Sequence, residues 1–180
     1  MTTSGHFAAK KAEKAPTGKW EMPDPSISAA LGTFIMAWAL IDSVIEVCIA
    51  KQLGLRAIDG SIVTAGLQFR SRSSLLLSLL NRTPLKNAKA IKIVKDMQGI
   101  QDRNDILHSV IGSSKSVVWF NRRKTGATFT SKIEKYDRDR LLIAALRCSE
   151  LTTKLMKAQG VSNNDYSAFF QATHNEANKL

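Results

Sequence analysis

An all-α fold, an antiparallel bundle of four to five helices with a β-hairpin inserted before the last long helix, is what this sequence predicts. Three observations point to it. Apolar residues recur at spacings of three and four through most of the chain. Helix start and stop signals bracket these runs. Between residues 116 and 136 the period changes to a strand-like alternation. At 180 residues the chain fits one domain with tails and can bury a core without staples.

Residues 1–23 read as a disordered basic tail, because Lys10, Lys11, Lys14 and Lys19 stand among few large apolar groups and burial would not offset ordering. The folded domain is expected over 24–160. Asp24 offers an N-cap and Pro25 suits the first helical turn. The helix from there runs to about Leu53 and stops at Gly54. Leu31, Phe34, Trp38, Ile41, Ile45 and Cys48 form its stripe, and Ile35, Met36, Leu40, Val44 and Ile49 cover much of the rest. A helix apolar nearly all round is buried on several sides, so it is central or also meets a partner subunit.

Asp59-Gly60 reads as a turn. A second helix is expected over Leu67–Asn81, with Phe69, Leu76, Leu77 and Leu80 inward. Thr83-Pro84 starts the next, with Leu85, Ile91, Ile93, Val94 and Met97 as its apolar positions. Gly99 bends or divides it, and Ile100 to Val110 continues in helical register. The hairpin follows at about 116–136, with Thr125-Gly126 in its turn. Asp137 caps a last long helix from Arg138 to about Ala158, ended by Gly160. Residues 161–180 read as a C-terminal tail or a short helix.

A net charge of +11 points to an acidic partner, nucleic acid above all, or to a well-solvated basic protein. Cys48 and Cys148 lie a hundred residues apart within apolar stretches, which is neither a zinc spacing nor a disulfide framework. They read as core residues of a reduced, cytoplasmic protein. No apolar leader opens the chain. The uncharged stretch from Pro25 to Ile41 meets Asp42 and Glu46, so a membrane span is not expected.

The chemistry concentrates in Arg103-Asn104-Asp105-Ile106-Leu107-His108. His6 and His174 fall in the expected tails, which leaves His108 as the general acid or base candidate of the folded body. Cleaving a phosphodiester needs such a group and a fixed cation on the phosphate oxygens, a task suited to the planar fork of Arg103. Asn104 and His108 share a face at i and i+4. Arg103 and His108 stand roughly 140° apart on an ideal helix, so the arginine swings back, the helix ends near His108, or two subunits pool their copies.

This segment resembles the Arg-x(4–6)-His signature of HEPN domains, in which a polar residue commonly follows the arginine. The long first helix through Trp38 to Glu46, and the place of the motif late in a helical bundle, are similar to that superfamily over about residues 25–158. The resemblance implies a dimeric, metal-independent endoribonuclease of toxin–antitoxin or defence systems. Arg103 and His108 would be catalytic, Asn104 would support them, RNA and a cognate antitoxin protein would be the partners, and neither metal nor cofactor would be required. Inactive HEPN domains imply the alternative, a non-catalytic RNA-binding or protein-interaction module. The hairpin lies outside the minimal HEPN core.

Other polar groups carry two readings each. Arg122, Arg123 and Lys124 beside Trp119 suit RNA, through phosphate contacts and base stacking, or Trp119 packs on the bundle while the hairpin tip is solvated. Asp42 and Glu46 share a helix face, and such a pair binds metal or does acid–base work, or, as the first reading, forms a polar stripe or partners basic side chains such as Arg70 and Arg72. Lys86, Lys89, Lys92 and Lys95 read as a solvated helix face.

Overall fold

The computed structural model describes residues 21–100, 106, 110–124 and 130–178. Six helices and a three-stranded sheet lie within them: α1 (Pro25–Leu53), α2 (Ala57–Ala65), α3 (Phe69–Leu80), α4 (Pro84–Gln98), β1 (Val110–Ser113), β2 (Val118–Lys124), β3 (Thr130–Tyr136), α5 (Arg138–Gln159) and α6 (Asn163–Ala177). The mainly helical class is as predicted, and the principal boundaries follow the capping chemistry. Asp24 accepts from the backbone N–H of Ser26, and Gly54 closes α1 at φ 64°. Asp137 accepts from the N–H of Arg140, and Gly160 closes α5 at φ 60°. Both glycines occupy the left-handed region that a Cβ disfavours.

α1 is the centre. Phe34, Ile41, Val44, Ile45, Cys48 and Ile49 are fully buried along it. α5 lies against it with Leu141, Cys148 and Leu155 inward, and α3 and α4 supply Leu76, Leu80, Val94 and Met97 to the same core. By length and composition α1 is apolar enough to cross a membrane, with an 18-residue window of mean hydropathy 1.9, contrary to the reading of Asp42 and Glu46 as a break. Of that window 56% is buried inside the bundle, which is how a core helix behaves. Desolvation pushes the Cys48 thiol up to about 12, with Lys51 opposing, so this cysteine is a packing group rather than a nucleophile.

Five features depart from the sequence reading. First, α1 and α5 run parallel, where an antiparallel bundle was expected. Lys51 Nζ donates to the Gly160 carbonyl at 2.6 Å and Gln52 Nε2 donates to Gln159 Oε1 at 2.7 Å, joining the C-terminal ends. Asp24, Ser26 and Ile27 meet Asp137, Arg138 and Asp139 around one cavity at the other end.

Second, Asp59 and Gly60 are not a turn. They lie inside α2, and Gly60 is buried there because the helix presses on α1: a Cβ at Gly60 would stand 2.6 Å from the Ala50 Cβ. The glycine signal is real, yet its cause is a close helix–helix approach. Third, Val110 starts a strand and does not end a helix. β1 pairs antiparallel with β2, Gly112 opposite Trp119, so the expected hairpin is a three-stranded meander. Fourth, Leu85 is 96% exposed and takes no part in the core.

Fifth, of the two readings of 161–180 the helix is the one seen, and it is long rather than short: residues 163–177 form it, with a reciprocal capping box between Ser162 and Asp165. The Ser162 N–H and hydroxyl both donate to the Asp165 carboxylate, holding it below the usual carboxylate range. α6 packs on α2, placing Phe169 near Gly60. His174 therefore stands on an ordered, exposed helix end rather than in a tail, with Asn178 Nδ2 at 3.0 Å from its Nε2.

The sheet sits at the N-terminal end of α1. The Asp24 N–H donates to the Lys115 carbonyl at 3.1 Å, and Ser113 Oγ donates to the Glu21 carbonyl. Val118, Phe120 and Tyr136 are the buried face of the sheet, and Phe120 and Tyr136 meet edge to face at 5.2 Å. Arg140 lies 3.8 Å over the Tyr136 ring and donates to the Lys135 carbonyl at 2.6 Å, clasping β3 to α5.

Gly60→Ala is expected to destabilise the protein by about 1–3 kcal/mol through overpacking against Ala50, despite the better helix propensity of alanine. Urea unfolding measures it; unchanged or raised stability would contradict the close approach of α2 to α1.

Candidate functional site

The sequence places the candidate chemistry between Gly99 and β1, and the structure fixes both ends of that stretch. Ile100 is buried where α4 has just ended. Ile106, inside the Arg-to-His motif, is helical, 4% exposed and part of the core cluster. Val110 then enters the sheet. Arg103, Asn104 and His108 themselves lie outside the described residues.

A cleft of about 480 Å³ opens where this stretch begins, lined by Trp38, Gln68, Phe69, Arg70, Ser74, Gln98 and Ile100. Its volume is within the range of small-molecule sites. Trp38 and Phe69 form the floor, nearly buried and crossing edge to face at 4.6 Å. Gln68, Arg70, Ser74 and Gln98 form an exposed polar rim. Gln98 is held there because its Nε2 donates at 2.9 Å to the hydroxyl of Ser73, which donates in turn to the Arg70 carbonyl at 3.1 Å. A bound group would meet an aromatic surface below and donors from an amide, a hydroxyl and a guanidinium around it, which suits a flat ring carrying an anion.

The two arginines of α3 have different fates. Arg72 is structural: Nη1 is 3.2 Å from Asp42 Oδ2, and Nε donates to the Thr64 carbonyl at 3.2 Å. The pairing of Asp42 expected from sequence is thus seen with Arg72. Asp42 Oδ1 is buried with no hydrogen-bond partner among the described residues, so the carboxylate depends on that arginine. Glu46 accepts from Ser61 Oγ at 2.7 Å. The two carboxylates are therefore turned to α3 and α2 and share no site. Arg70, two residues from Arg72, is exposed and has no ion pair among the described residues. Among these residues no three His, Cys, Asp or Glu gather where a metal ion could be held.

Trp119 is half-buried in β2, where its neighbours Val118 and Phe120 are buried. Strand alternation puts it on the other face of the sheet, opposite Lys135 in the register. It does not join the core face, contrary to one of the two readings. Arg122, Arg123 and Lys124 complete β2 and pair in register with Lys132, Ser131 and Thr130; their side chains lie outside the described part. Sequence reasoning missed Trp38, Phe69, Arg70 and Gln98 as a group. They come from three helices, and no spacing in the chain announces their meeting.

Comparison with models of protein families, with curated proteins and with solved structures gives no match.

Replacing Arg72 by alanine is expected to cost about 1–3 kcal/mol, because Asp42 loses its partner in a half-buried setting. Arg70→Ala should stay within about 0.5 kcal/mol of the parent protein. Parallel thermal melts read the contrast; equal losses would mean that both arginines serve the fold.

Proposed function

We propose that this chain is a HEPN-type, metal-independent endoribonuclease acting through Arg103 and His108. The observation that carries the reading is the segment Arg103-Asn104-Asp105-Ile106-Leu107-His108, which contains buried Ile106 and follows Ile100, a lining residue of the cleft rimmed by Arg70 and Gln98. Ile100 and Ile106 are themselves buried in the core, and a positioned catalytic group requires support of that kind.

The reaction is an in-line transfer within RNA. His108 takes the proton of the 2′-hydroxyl as its oxygen attacks phosphorus, or delivers a proton to the departing 5′-oxygen. Arg103 grips the non-bridging oxygens, where negative charge crowds in the transition state. Asn104 supports them as a hydrogen-bonding neighbour. The bond from phosphorus to the 5′-oxygen breaks, leaving a 2′,3′-cyclic phosphate and a 5′-hydroxyl. The side chains of Arg122, Arg123, Lys124 and Trp119 extend the RNA contact through phosphates and stacking.

A homodimer belongs to the same reading. α1 presents Gly32, Met36 and Leu40 at four-residue intervals on an exposed stripe beside Ile35, with Met36 73% exposed. A second copy seated there would cover apolar surface that the fold itself leaves in water. A cytoplasmic setting and a cognate antitoxin protein complete the proposal.

Cleavage of a mixed-sequence RNA is expected to persist in EDTA and to fall by roughly 10²–10⁴-fold in His108→Ala, the range for loss of a general acid or base, and sharply in Arg103→Ala. DNA of the same sequence should stay intact. If RNA is bound but never cut at high protein concentration, the second function, a non-catalytic RNA-binding module, replaces the first.

A further inference from the structure

Lys86, Lys89, Lys92 and Lys95 read from sequence as a solvated helix face. The fold sets a second basic wall across from part of it. Lys89 and Ile93 of α4 stand opposite Lys154, Lys157 and Ala158 of α5 along an open groove of about 510 Å³. Lys154 shares its charge with Glu150 at 3.1 Å. Lys89 and Lys157 have no ion pair among the described residues. α4 and α5 together carry nine lysines and arginines against three carboxylates, so the groove lies in a strongly positive field.

The groove is separate from the cleft. Lys89 and Gln98 are nine residues apart on α4, about 180° around it, so the two openings lie on opposite flanks of one helix. Its lining is also chemically different. Two small apolar patches, Ile93 and Ala158, stand between ammonium groups, and among the described residues no aromatic ring lines the groove to stack a base. Lysine is a compact point charge on a flexible stem and grips phosphate without the planar geometry of arginine. The apolar surface available is too little to anchor a folded protein, whose interfaces bury larger clusters.

From these features we propose that the α4–α5 groove is a phosphate-tracking exosite, which holds the backbone of a single-stranded nucleic acid without reading its bases. The inference rests on RNA being the ligand of this protein, and it is independent of whether the Arg103–His108 segment cleaves. A strand held in the groove reaches the cleft only by passing around α4, so the exosite favours long strands over short ones.

The test is fluorescence binding of a 30-nucleotide single-stranded RNA, and of DNA of the same sequence, over a range of salt, in a His108→Ala background that prevents cleavage. The triple variant Lys89→Ala/Lys154→Ala/Lys157→Ala should bind both strands several-fold more weakly. Its slope of log affinity against log salt should be smaller by about 2, the counterion release of three phosphate contacts to a single strand. The Lys-to-Arg triple should retain binding, and a tail triple that removes the same charge (Lys10, Lys11 and Lys14 to Ala) should lose clearly less. The exosite is overturned if the groove triple keeps the parent slope, if the tail triple loses as much, or if polyglutamate displaces RNA at equal charge concentration, which would point to an acidic protein ligand. Cleavage of a short RNA by the triple variant in a His108 background reports on the nuclease alone, so the two proposals fail separately.

Discussion

The structure depends on the burial of α1 against a parallel α5. Both helices are apolar along their common length, and their ends are fastened. Lys51 and Gln52 reach Gln159 and Gly160 at one end, and the sheet bonds to Asp24 at the other. Two neighbouring helices that run the same way cannot be joined by a short loop. The chain must return the full length of the bundle between them, and residues 84–137 make that return. α4 begins it, and the meander ends it next to the start of α5. Buried Ile100, Ile106 and Phe120 tie this return to the core.

The charges are arranged by the same architecture. The protein has an excess of eleven positive charges, and several of its carboxylates are engaged within the fold. Asp42 holds Arg72, Glu46 accepts from Ser61, Asp59 meets Arg56, and Asp165 caps α6. Arg70, Lys89 and Lys157 are left to solvent without ion pairs among the described residues, on two different flanks of α4. Separated cations of this kind are engaged together only by a chain that spans them, which is the basis of the proposed RNA contact.

Much of the fold was legible in the sequence, for local physical reasons. Asp24-Pro25, Thr83-Pro84 and Asp137 start helices because their side chains or rings suit the first turn, and Gly54 and Gly160 stop them because the left-handed cap excludes a Cβ. Gly60 misled because glycine serves two purposes, and only the packing of α2 on α1 tells them apart. β1 was hidden because Val110-Ile-Gly-Ser113 is four residues long and follows a helical register without a breaker. The direction of α5 was hidden too, since periodicity gives faces and not topology. The motif was readable as chemistry because Arg-x4-His lies within six residues. The cleft that Ile100 lines was not, because Trp38, Phe69 and Gln98 become neighbours only through tertiary packing.

In the proposed reaction one guanidinium and one imidazole act on a phosphodiester whose own 2′-oxygen is the nucleophile. Mass spectrometry of the ends left on a defined RNA tests it most directly. That reaction leaves a 2′,3′-cyclic phosphate on the upstream fragment and a 5′-hydroxyl on the downstream one, with no cut where a single 2′-deoxynucleotide replaces the ribonucleotide 5′ to the scissile bond. A 3′-hydroxyl with a 5′-phosphate, or undiminished cutting at the deoxy position, would mean that water attacks and that the assignment of Arg103 and His108 is wrong.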